Sequence, residues 1–360
     1  MNIQACKERI LALRRDINTL QPLADKIIEA NCPYELRPAK TPTHGVLLIH
    51  GLLDCPFSLR EIGQHLCEQG MLVRSVLLPG HGTRPEELLT VTYQAWIETV
   101  HDAIAELKKE TGKVTLIGYS TGAALSVYEA MLDKDIVSLV LLSPAIKVKV
   151  PVNLIITWHY LTSLFSKQKG WICKMEETDY AKYLSVPFNA VNQVNALTDT
   201  IKQMRHNLGL SCPIYMIMSR EDETISSHDA INFFEGLHNP DSRMLLYSAC
   251  DHRYPDRRIT TRLANYPQQR IKHLSHTSLP FSIRNSHYGQ HGDYIAASHP
   301  HHEEVIYGAY NRIEVDLFSL LYQLGLTQHK RRELTYNPDF DHMVKSISEF
   351  IAHVTNKTSS

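Results

Sequence analysis

The 360-residue sequence has no excess of charge of either sign and no long apolar run. The charges of its 37 basic and 38 acidic side chains nearly cancel, so the net charge does not favour binding to nucleic acid or to an anionic membrane surface. No stretch reaches the roughly 18 consecutive apolar residues of a transmembrane helix. Residues 1–20 mix apolar side chains with charge, unlike the continuous apolar segment of a signal peptide. We therefore expect neither a nucleic-acid partner nor a transmembrane segment.

Paired cysteine motifs are absent as well. The seven cysteines form no CxxC pair and their number is odd, so neither a disulfide framework nor a structural zinc site is expected. A reducing compartment, the cytoplasm, fits this composition best. The histidine-rich SHPHHEE at 298–304 is typical of a solvated loop, which seldom holds a metal specifically. The sequence predicts no metal and no other cofactor.

Strand-like and helix-like segments alternate along the chain. The strand-like runs are GVLLIH (45–50), MLVRSVLLPG (71–80), KVTLIG (113–118), SLVLLSPA (138–145) and CPIYMIMS (212–219). Amphipathic segments lie between most of these runs. The alternation predicts an α/β fold with a mostly parallel central sheet and helices on both faces.

The alternation stops between residues 147 and 210, which predicts an insertion. The segment begins with PVNLIITWHYLTSLF (151–165), which is more apolar than a solvent-facing helix needs to be. These side chains either pack on the main domain or line a pocket for an acyl chain. The predicted parts of the chain are an N-terminal helical extension (1–42), a first part of the core (43–146), an inserted cap (147–210) and a second part of the core with inserted loops (211–360).

GYSTG at 118–122 lies directly between a strand-like run and the helix-like AALSVYEAML. In this setting a G-x-S-x-G sequence makes a sharp turn that holds its serine at the carboxyl end of the sheet. Ser120 is then a candidate nucleophile, and the N–H of Thr121 points at an oxyanion formed on attack. The alternative is a glycine-rich connector without chemistry. The strand before the motif and the helix after it favour the nucleophile.

HGLLDCPFSLREIG (50–63) follows the first strand-like run and offers a second oxyanion donor. His50 and Gly51 would lead the chain back over the serine, so that the N–H of Leu52 faces the oxyanion. The side chain of His50 is expected only to hydrogen-bond its own loop.

The segments GVLLIHGLLDCPFSLREIG, LPGHGTRPEELL and GYSTGAAL together resemble the α/β-hydrolase superfamily, and within it the carboxylesterase and monoacylglycerol-lipase group. The resemblance covers residues 45–145 and resumes weakly at 212–225 and near the C-terminus. It implies an α/β-hydrolase fold with an inserted cap, and the order serine, acid, histidine along the chain.

The acid of that order is expected just after a strand. SREDETIS places Glu221, Asp222 and Glu223 there, and the superfamily pattern fits Asp222. Its carboxylate would accept a hydrogen bond from the Nδ1–H of a histidine and fix the tautomer of that ring. The neighbouring glutamates are expected to be solvated. A charged loop without a chemical role is the alternative.

Two histidines are candidates for the base. His252 lies 30 positions after Asp222, an interval that accommodates a helix and a strand, so spacing favours it. His276 precedes the apolar TSLPFS, which would restrict solvent, so context favours His276 over the strongly charged surroundings of His252. Choosing His276 requires residues 249–269 to be an inserted loop. We predict His276, with His252 as the alternative.

These residues predict a serine hydrolase that cleaves lipid-like or medium-chain carboxylic esters through an acyl-enzyme, so a small-molecule ester or lipid is the expected partner. Ser120, Asp222 and His276 would form the triad, with Leu52 and Thr121 as oxyanion donors. A thioesterase or an amidase would use the same residues. A non-catalytic binding protein of the same fold is disfavoured, because candidates for nucleophile, acid and base are all present.

Overall fold

A computed structural model describes residues 3–14, 21–147, 170–205, 207–294 and 304–357, called the described residues. The strands, in chain order, are β1 (Glu35–Leu36), β2 (His44–Ile49), β3 (Leu72–Ser75), β4 (Lys113–Tyr119), β5 (Ile136–Leu142), β6 (Trp171–Cys173), β7 (Val186–Pro187), β8 (Ile214–Ser219), β9 (Arg243–Ser248), β10 (Ile259–Leu263), β11 (Val305–Gly308) and β12 (Lys330–Glu333). The helices are α1 (Ile3–Leu13), α2 (Gln21–Asn31), α3 (Arg60–Glu68), α4 (Tyr93–Thr111), α5 (Thr121–Leu132), α6 (Phe188–Met204), α7 (Ser227–Glu235), α8 (Arg312–Gln323) and α9 (Phe340–Lys357).

The central sheet has eight strands in the order β1-β3-β2-β4-β5-β8-β9-β10. The short β1 pairs antiparallel with β3, and the other neighbours in this sheet run parallel. Outside it, β6 pairs with β7 and β11 pairs with β12. The predicted α/β fold with a mostly parallel sheet is confirmed.

Helices cover both faces of this sheet. In β2, Leu47 and Ile49 join one apolar cluster, whereas Val46 and Leu48 join the other. The first cluster includes buried side chains of α4, α5, α6 and α7, and the second includes those of α3 and α9. Because both faces are buried, the inner strands are mostly apolar rather than alternating, which makes them recognisable as strands in the sequence. The prediction of helices on both faces is confirmed.

Residues 249–269 differ from the prediction, which made them an inserted loop. β10 lies within this range and pairs parallel with β9 at the edge of the central sheet. Its ITTRL sequence is rich in β-branched residues, which favour strands, but the charged residues before it concealed this signal. The loop prediction is therefore wrong for β10. The strand predicted at 71–80 is also too long, because β3 ends at Ser75.

The N-terminal helices and α6 pack on the core. Ile10 of α1 and Ile27 of α2 belong to one apolar cluster with Cys55 and Tyr180. α6 contacts α4 and α5 and buries four side chains in their cluster: Ala190, Val194, Leu197 and Ile201. The predicted acyl-pocket segment 151–165 and most of the histidine-rich segment lie outside the described residues. The proposed domain boundaries stay predictions.

The turn between β4 and α5 is packed backbone against backbone. A Cβ atom at Gly122 would collide with the carbonyl oxygen of Ile49, the last residue of β2. A Cβ atom at Gly118 would collide with the carbonyl oxygen of Gly122. Both glycines are therefore required by close approach of the helix to the strands, as the G-x-S-x-G pattern predicts.

Replacing Gly122 by alanine should destabilise the fold by at least about 2 kcal/mol, because backbone atoms cannot move aside as a flexible side chain can. The matched control is Gly209→Ala, since the Cβ position at Gly209 has no neighbouring atom within 4 Å. Both changes reduce the entropy of the unfolded chain similarly. Urea unfolding measures the difference, and equal midpoints for the two variants would contradict the packing described.

Candidate active site

Ser120 occupies a strained turn between β4 and α5. Its φ of 53° and ψ of −111° lie outside the regions that non-glycine residues prefer, at a cost of order 1–3 kcal/mol. Backbone hydrogen bonds hold this conformation. The Ser120 N–H donates to the carbonyl of Leu142 at 2.9 Å, and the Ser120 carbonyl accepts from the N–H of Ala145 at 3.1 Å as well as from two N–H groups in the first turn of α5. Surrounding structure therefore fixes the serine at the start of a helix, above the carboxyl end of the central sheet.

Three of the predicted residues meet at this turn. The Oγ of Ser120 lies 3.1 Å from Nε2 of His276, and Nδ1 of His276 lies 2.8 Å from Oδ2 of Asp222. An ionised carboxylate can only accept, so Nδ1 carries the proton and Nε2 is free to accept from the serine hydroxyl. The Asp222 side chain is fully buried and that of His276 is 8% exposed. The structure thus joins the predicted nucleophile, base and acid in one hydrogen-bonded chain.

The Asp222 carboxylate is held by the turn after β8. Its Oδ1 accepts the backbone N–H groups of Thr224 and Ile225 at 2.9 and 2.8 Å, which leaves Oδ2 for the histidine. Burial opposes its ionisation, but His276 and these two N–H groups outweigh burial and lower the pKa of Asp222. The carboxylate therefore stays ionised at neutral pH.

The His276 ring is buried beside that carboxylate. Burial disfavours the imidazolium, but the negative charge and hydrogen bond of Asp222 prevail and raise the pKa of His276 above 6.5. The ring also lies against Tyr119, at 5.3 Å between ring centroids, and the Tyr119 hydroxyl donates to the carbonyl of His276. Packing and polar contacts together fix the orientation of the imidazole.

His252, the alternative base, lies apart from this chain of hydrogen bonds. Its Nε2 contacts the guanidinium of Arg220, and its carbonyl accepts from the hydroxyl of Thr261 at 2.7 Å. Thr261 belongs to β10, so the strand that the sequence concealed holds His252 at the edge of the sheet. Of the two candidates, the structure brings only His276 to Ser120.

The predicted oxyanion donors flank the serine. The backbone of Gly51, just after β2, lies close to Ser120: a Cβ atom built on Gly51 would lie 3.3 Å from the Cβ of Ser120. This contact places the loop that contains Leu52 over the turn. The His50 ring holds this loop, since Nε2 accepts the N–H of Leu78 at 3.0 Å and Nδ1 donates to the Gly51 carbonyl at 2.8 Å. Neither the Leu52 N–H nor the Thr121 N–H donates to another described residue.

The glutamates on either side of Asp222, predicted to be solvated, make hydrogen bonds within the fold. Glu221 accepts from the hydroxyl of Ser248 at 3.1 Å. Glu223 is half-buried, and its Oε2 accepts the backbone N–H of His276 at 3.0 Å. The expectation is wrong because the turn after β8 folds against two chain segments that come later in the sequence. No local pattern in SREDETIS signals those partners.

In the part of the chain that the structure describes, no helix is long and apolar enough to cross a membrane. The same part holds no group of His, Cys, Asp and Glu side chains arranged to bind a metal ion.

A parallel sheet with helices on both faces, and a serine at the sharp turn after a central strand, define an α/β-hydrolase. The fold matches a solved structure described as one of two metagenome-derived lipolytic enzymes, LipS and LipT, with a TM-score of 0.51 and 20% identity over 60% of this chain and 86% of that chain. Residues 40–255 match the family described as Serine aminopeptidase, S33, and the chain belongs to that family.

Two relatives are similar in sequence. The chain is 26% identical over 215 residues to a thermostable monoacylglycerol lipase of Bacillus sp. strain H-257, covering 56% of this chain and 79% of the relative. It is 24% identical over 209 residues to a carboxylesterase of Bacillus subtilis strain 168, covering 58% of this chain and 83% of the relative. The resemblance inferred from the motifs is confirmed.

Replacing Asp222 by asparagine should lower the pKa of His276, because the charge that stabilises the imidazolium is removed while the side-chain shape is kept. Histidine-selective ¹⁵N NMR across a pH series measures the titration of this ring. Asp256→Asn is the matched control, since Asp256 pairs with Arg258 instead. An unchanged His276 titration in Asp222→Asn would contradict the pKa direction given.

Proposed function

We propose that this protein hydrolyses carboxylic esters through an acyl-enzyme on Ser120. The observation that carries the proposal is the continuous hydrogen-bonded chain from Asp222 through His276 to the Ser120 hydroxyl, at 2.8 and 3.1 Å. A buried carboxylate, an oriented imidazole and a hydroxyl at a helix N-terminus are the parts that nucleophilic acyl transfer requires.

In the first half of the proposed reaction, Nε2 of His276 takes the proton of Ser120 as Oγ attacks the ester carbonyl. The imidazolium that forms is stabilised by the Asp222 carboxylate, which keeps its own charge. The oxyanion accepts hydrogen bonds from the N–H groups of Leu52 and Thr121. In comparable sites each such donor stabilises the transition state by about 3 kcal/mol. His276 then protonates the leaving alcohol as the tetrahedral intermediate collapses.

In the second half, water attacks the acyl-enzyme. His276 accepts a proton from that water, and the same two N–H groups stabilise the second oxyanion. The imidazolium then returns its proton to Oγ of Ser120 as the bond between Oγ and the acyl carbon breaks and the carboxylic acid is released. The base must be neutral at the start of each half, so turnover should rise as pH increases through the raised pKa of His276.

Lipid-like or medium-chain acyl esters are the proposed substrates. Two similarities support this choice, since the relatives are named monoacylglycerol lipase and carboxylesterase. The sequence at 151–165 is rich in apolar residues, the type of side chain that lines acyl pockets.

Amide hydrolysis is a second candidate, favoured by the family description, Serine aminopeptidase. The same residues would act, with His276 protonating an amine leaving group. Paired p-nitrophenyl ester and p-nitroanilide substrates with one acyl group separate the two activities. A higher kcat/KM for the anilide would replace the ester proposal by this one.

Ser120→Ala should reduce kcat on p-nitrophenyl butyrate by about 10³-fold or more, because the nucleophile is lost. A fluorophosphonate probe should label the wild type and leave this variant unlabelled. Circular dichroism checks that the fold is retained. Wild-type turnover in Ser120→Ala would refute the nucleophile assignment.

His276→Ala should lose activity to a similar degree, because the proposed base is lost. Its matched control, His252→Ala, should stay near wild type. The reverse result would assign the role of base to His252.

Acyl-chain length tests the substrate class. Each added methylene that is buried contributes about 0.8 kcal/mol, so kcat/KM should rise about fourfold per methylene until the pocket is full. A series of p-nitrophenyl esters from acetyl to dodecanoyl, kept below their aggregation limits, measures this trend. A steady fall in kcat/KM from acetyl onward would exclude an acyl pocket.

A further inference from the structure

Residues 275–278 form the loop that carries His276, called the histidine loop. Its backbone is fastened on the side of β8 by Glu223. The His276 N–H donates to both oxygens of that carboxylate, at 3.0 Å to Oε2 and 3.3 Å to Oε1. Because Asp222 and Glu223 are adjacent, one turn of the chain holds the ring of His276 with one carboxylate and its backbone with the next.

A second carboxylate fastens the opposite side of the histidine loop. Oε1 of Glu333, the last residue of β12, accepts the hydroxyl of Thr277 at 2.5 Å. The next residue along the chain, Leu334, accepts the hydroxyl of Ser275 on its carbonyl, also at 2.5 Å. The histidine loop is therefore held between the turn after β8 and the end of β12.

These two glutamates are held close enough to repel each other. Burial, followed by the charges of Glu333 and Asp222, raises the pKa of Glu223 to about 7. His276 and its N–H act in the opposite direction. Burial opposes the charge of Lys182, but nearby negative groups, Glu333 first among them, prevail and raise the pKa of this lysine. In solvent, two glutamates would move apart or be screened by water. In this protein the fold holds Glu223 and Glu333 beside the histidine loop despite the repulsion between their charges.

We propose that Glu223 and Glu333 are positioning residues that clamp the histidine loop and thereby hold the His276 ring between Asp222 and Ser120. This inference rests on the proposed role of His276 as the base. Glu333 is the last residue of β12, which lies beyond residues 40–255, the range that matches the family. Misplacing a catalytic group by about 1 Å can reduce the rate about 10²-fold, which is the size of effect a clamp of this kind would prevent.

The first test compares Glu223→Ala with Glu223→Gln. The alanine variant loses the acceptor for the His276 N–H, so we expect kcat to fall about 10- to 100-fold with KM changed less than about threefold. The glutamine variant keeps a carbonyl oxygen as acceptor and should retain kcat within about fivefold of wild type. Glu221→Ala is the matched control, since Glu221 contacts Ser248 and not the histidine loop. It should retain wild-type kcat.

The second test addresses the Glu333 side of the clamp. Thr277→Val removes the hydroxyl that Glu333 accepts and keeps the shape of the side chain, whereas Thr277→Ser keeps the hydroxyl. We expect Thr277→Val to lower kcat and Thr277→Ser to retain a kcat close to that of the wild type. If Glu223→Ala does not fold, this pair and Glu223→Gln still decide the question.

A readout that does not depend on turnover completes the design. The Nδ1 proton of His276, bonded to Asp222, should give a downfield NMR resonance that broadens in Glu223→Ala and persists in Glu223→Gln and Glu221→Ala. Equal kcat and equal spectra for Glu223→Ala and Glu221→Ala would overturn the proposal, as would an equal loss in the alanine and glutamine variants. A wild type that a fluorophosphonate probe fails to label would instead refute the proposed function, a result separate from the positions of these resonances.

Discussion

The contact on which the site depends is the close approach of the Gly122 backbone to the carbonyl of Ile49. It presses the start of α5 against the end of β2, and the chain can meet this demand only by turning sharply at Ser120. The strained φ of Ser120 is therefore a consequence of packing between two regular elements, which a parallel sheet keeps rigid. Because the chain leaving β2 continues through Gly51, the same contact lays the Leu52 loop beside the serine.

Parallel strands deliver their C-terminal residues to a common edge, and the spacing of the strands sets what can meet there. Ser120 follows β4 and Asp222 follows the turn after β8, with β5 between these strands. Neighbouring strands lie about 4.8 Å apart, so the serine and the aspartate start about 10 Å from each other. A direct hydrogen bond cannot span that gap, but an imidazole with a partner on each nitrogen can. The sheet thus requires a bridging group, and the histidine loop supplies it.

Much of this arrangement is predictable from the sequence because its signals are local. Apolar runs mark the buried strands, and GYSTG between a strand and a helix identifies the turn. The bridging histidine is different, since spacing favoured His252 and only context favoured His276. The sequence concealed β10, and without that strand the length of chain before His276 looked like a loop. The partner of Glu223, the N–H of His276, lies 53 positions later in the chain. Apolar periodicity carries no information about such a contact, so the sequence predicts a solvated glutamate.

The protonation state of His276 that stabilises the fold differs from the one that the proposed reaction needs. The pKa of His276 is raised, so its pairing with Asp222 stabilises the fold below the unfolded pKa of histidine and is lost as pH rises through the folded pKa. The raised pKa of Glu223 acts in the same direction, because the unfolded chain releases this proton near pH 4.5 and the folded protein only near pH 7, so stability falls as pH rises between these two values. In the proposed reaction, however, His276 must be neutral to accept a proton from Ser120. The working protonation state is thus the one that ionic interactions favour least, so neutral hydrogen bonds, packing against Tyr119 and the anchoring of the histidine loop must hold the ring in place.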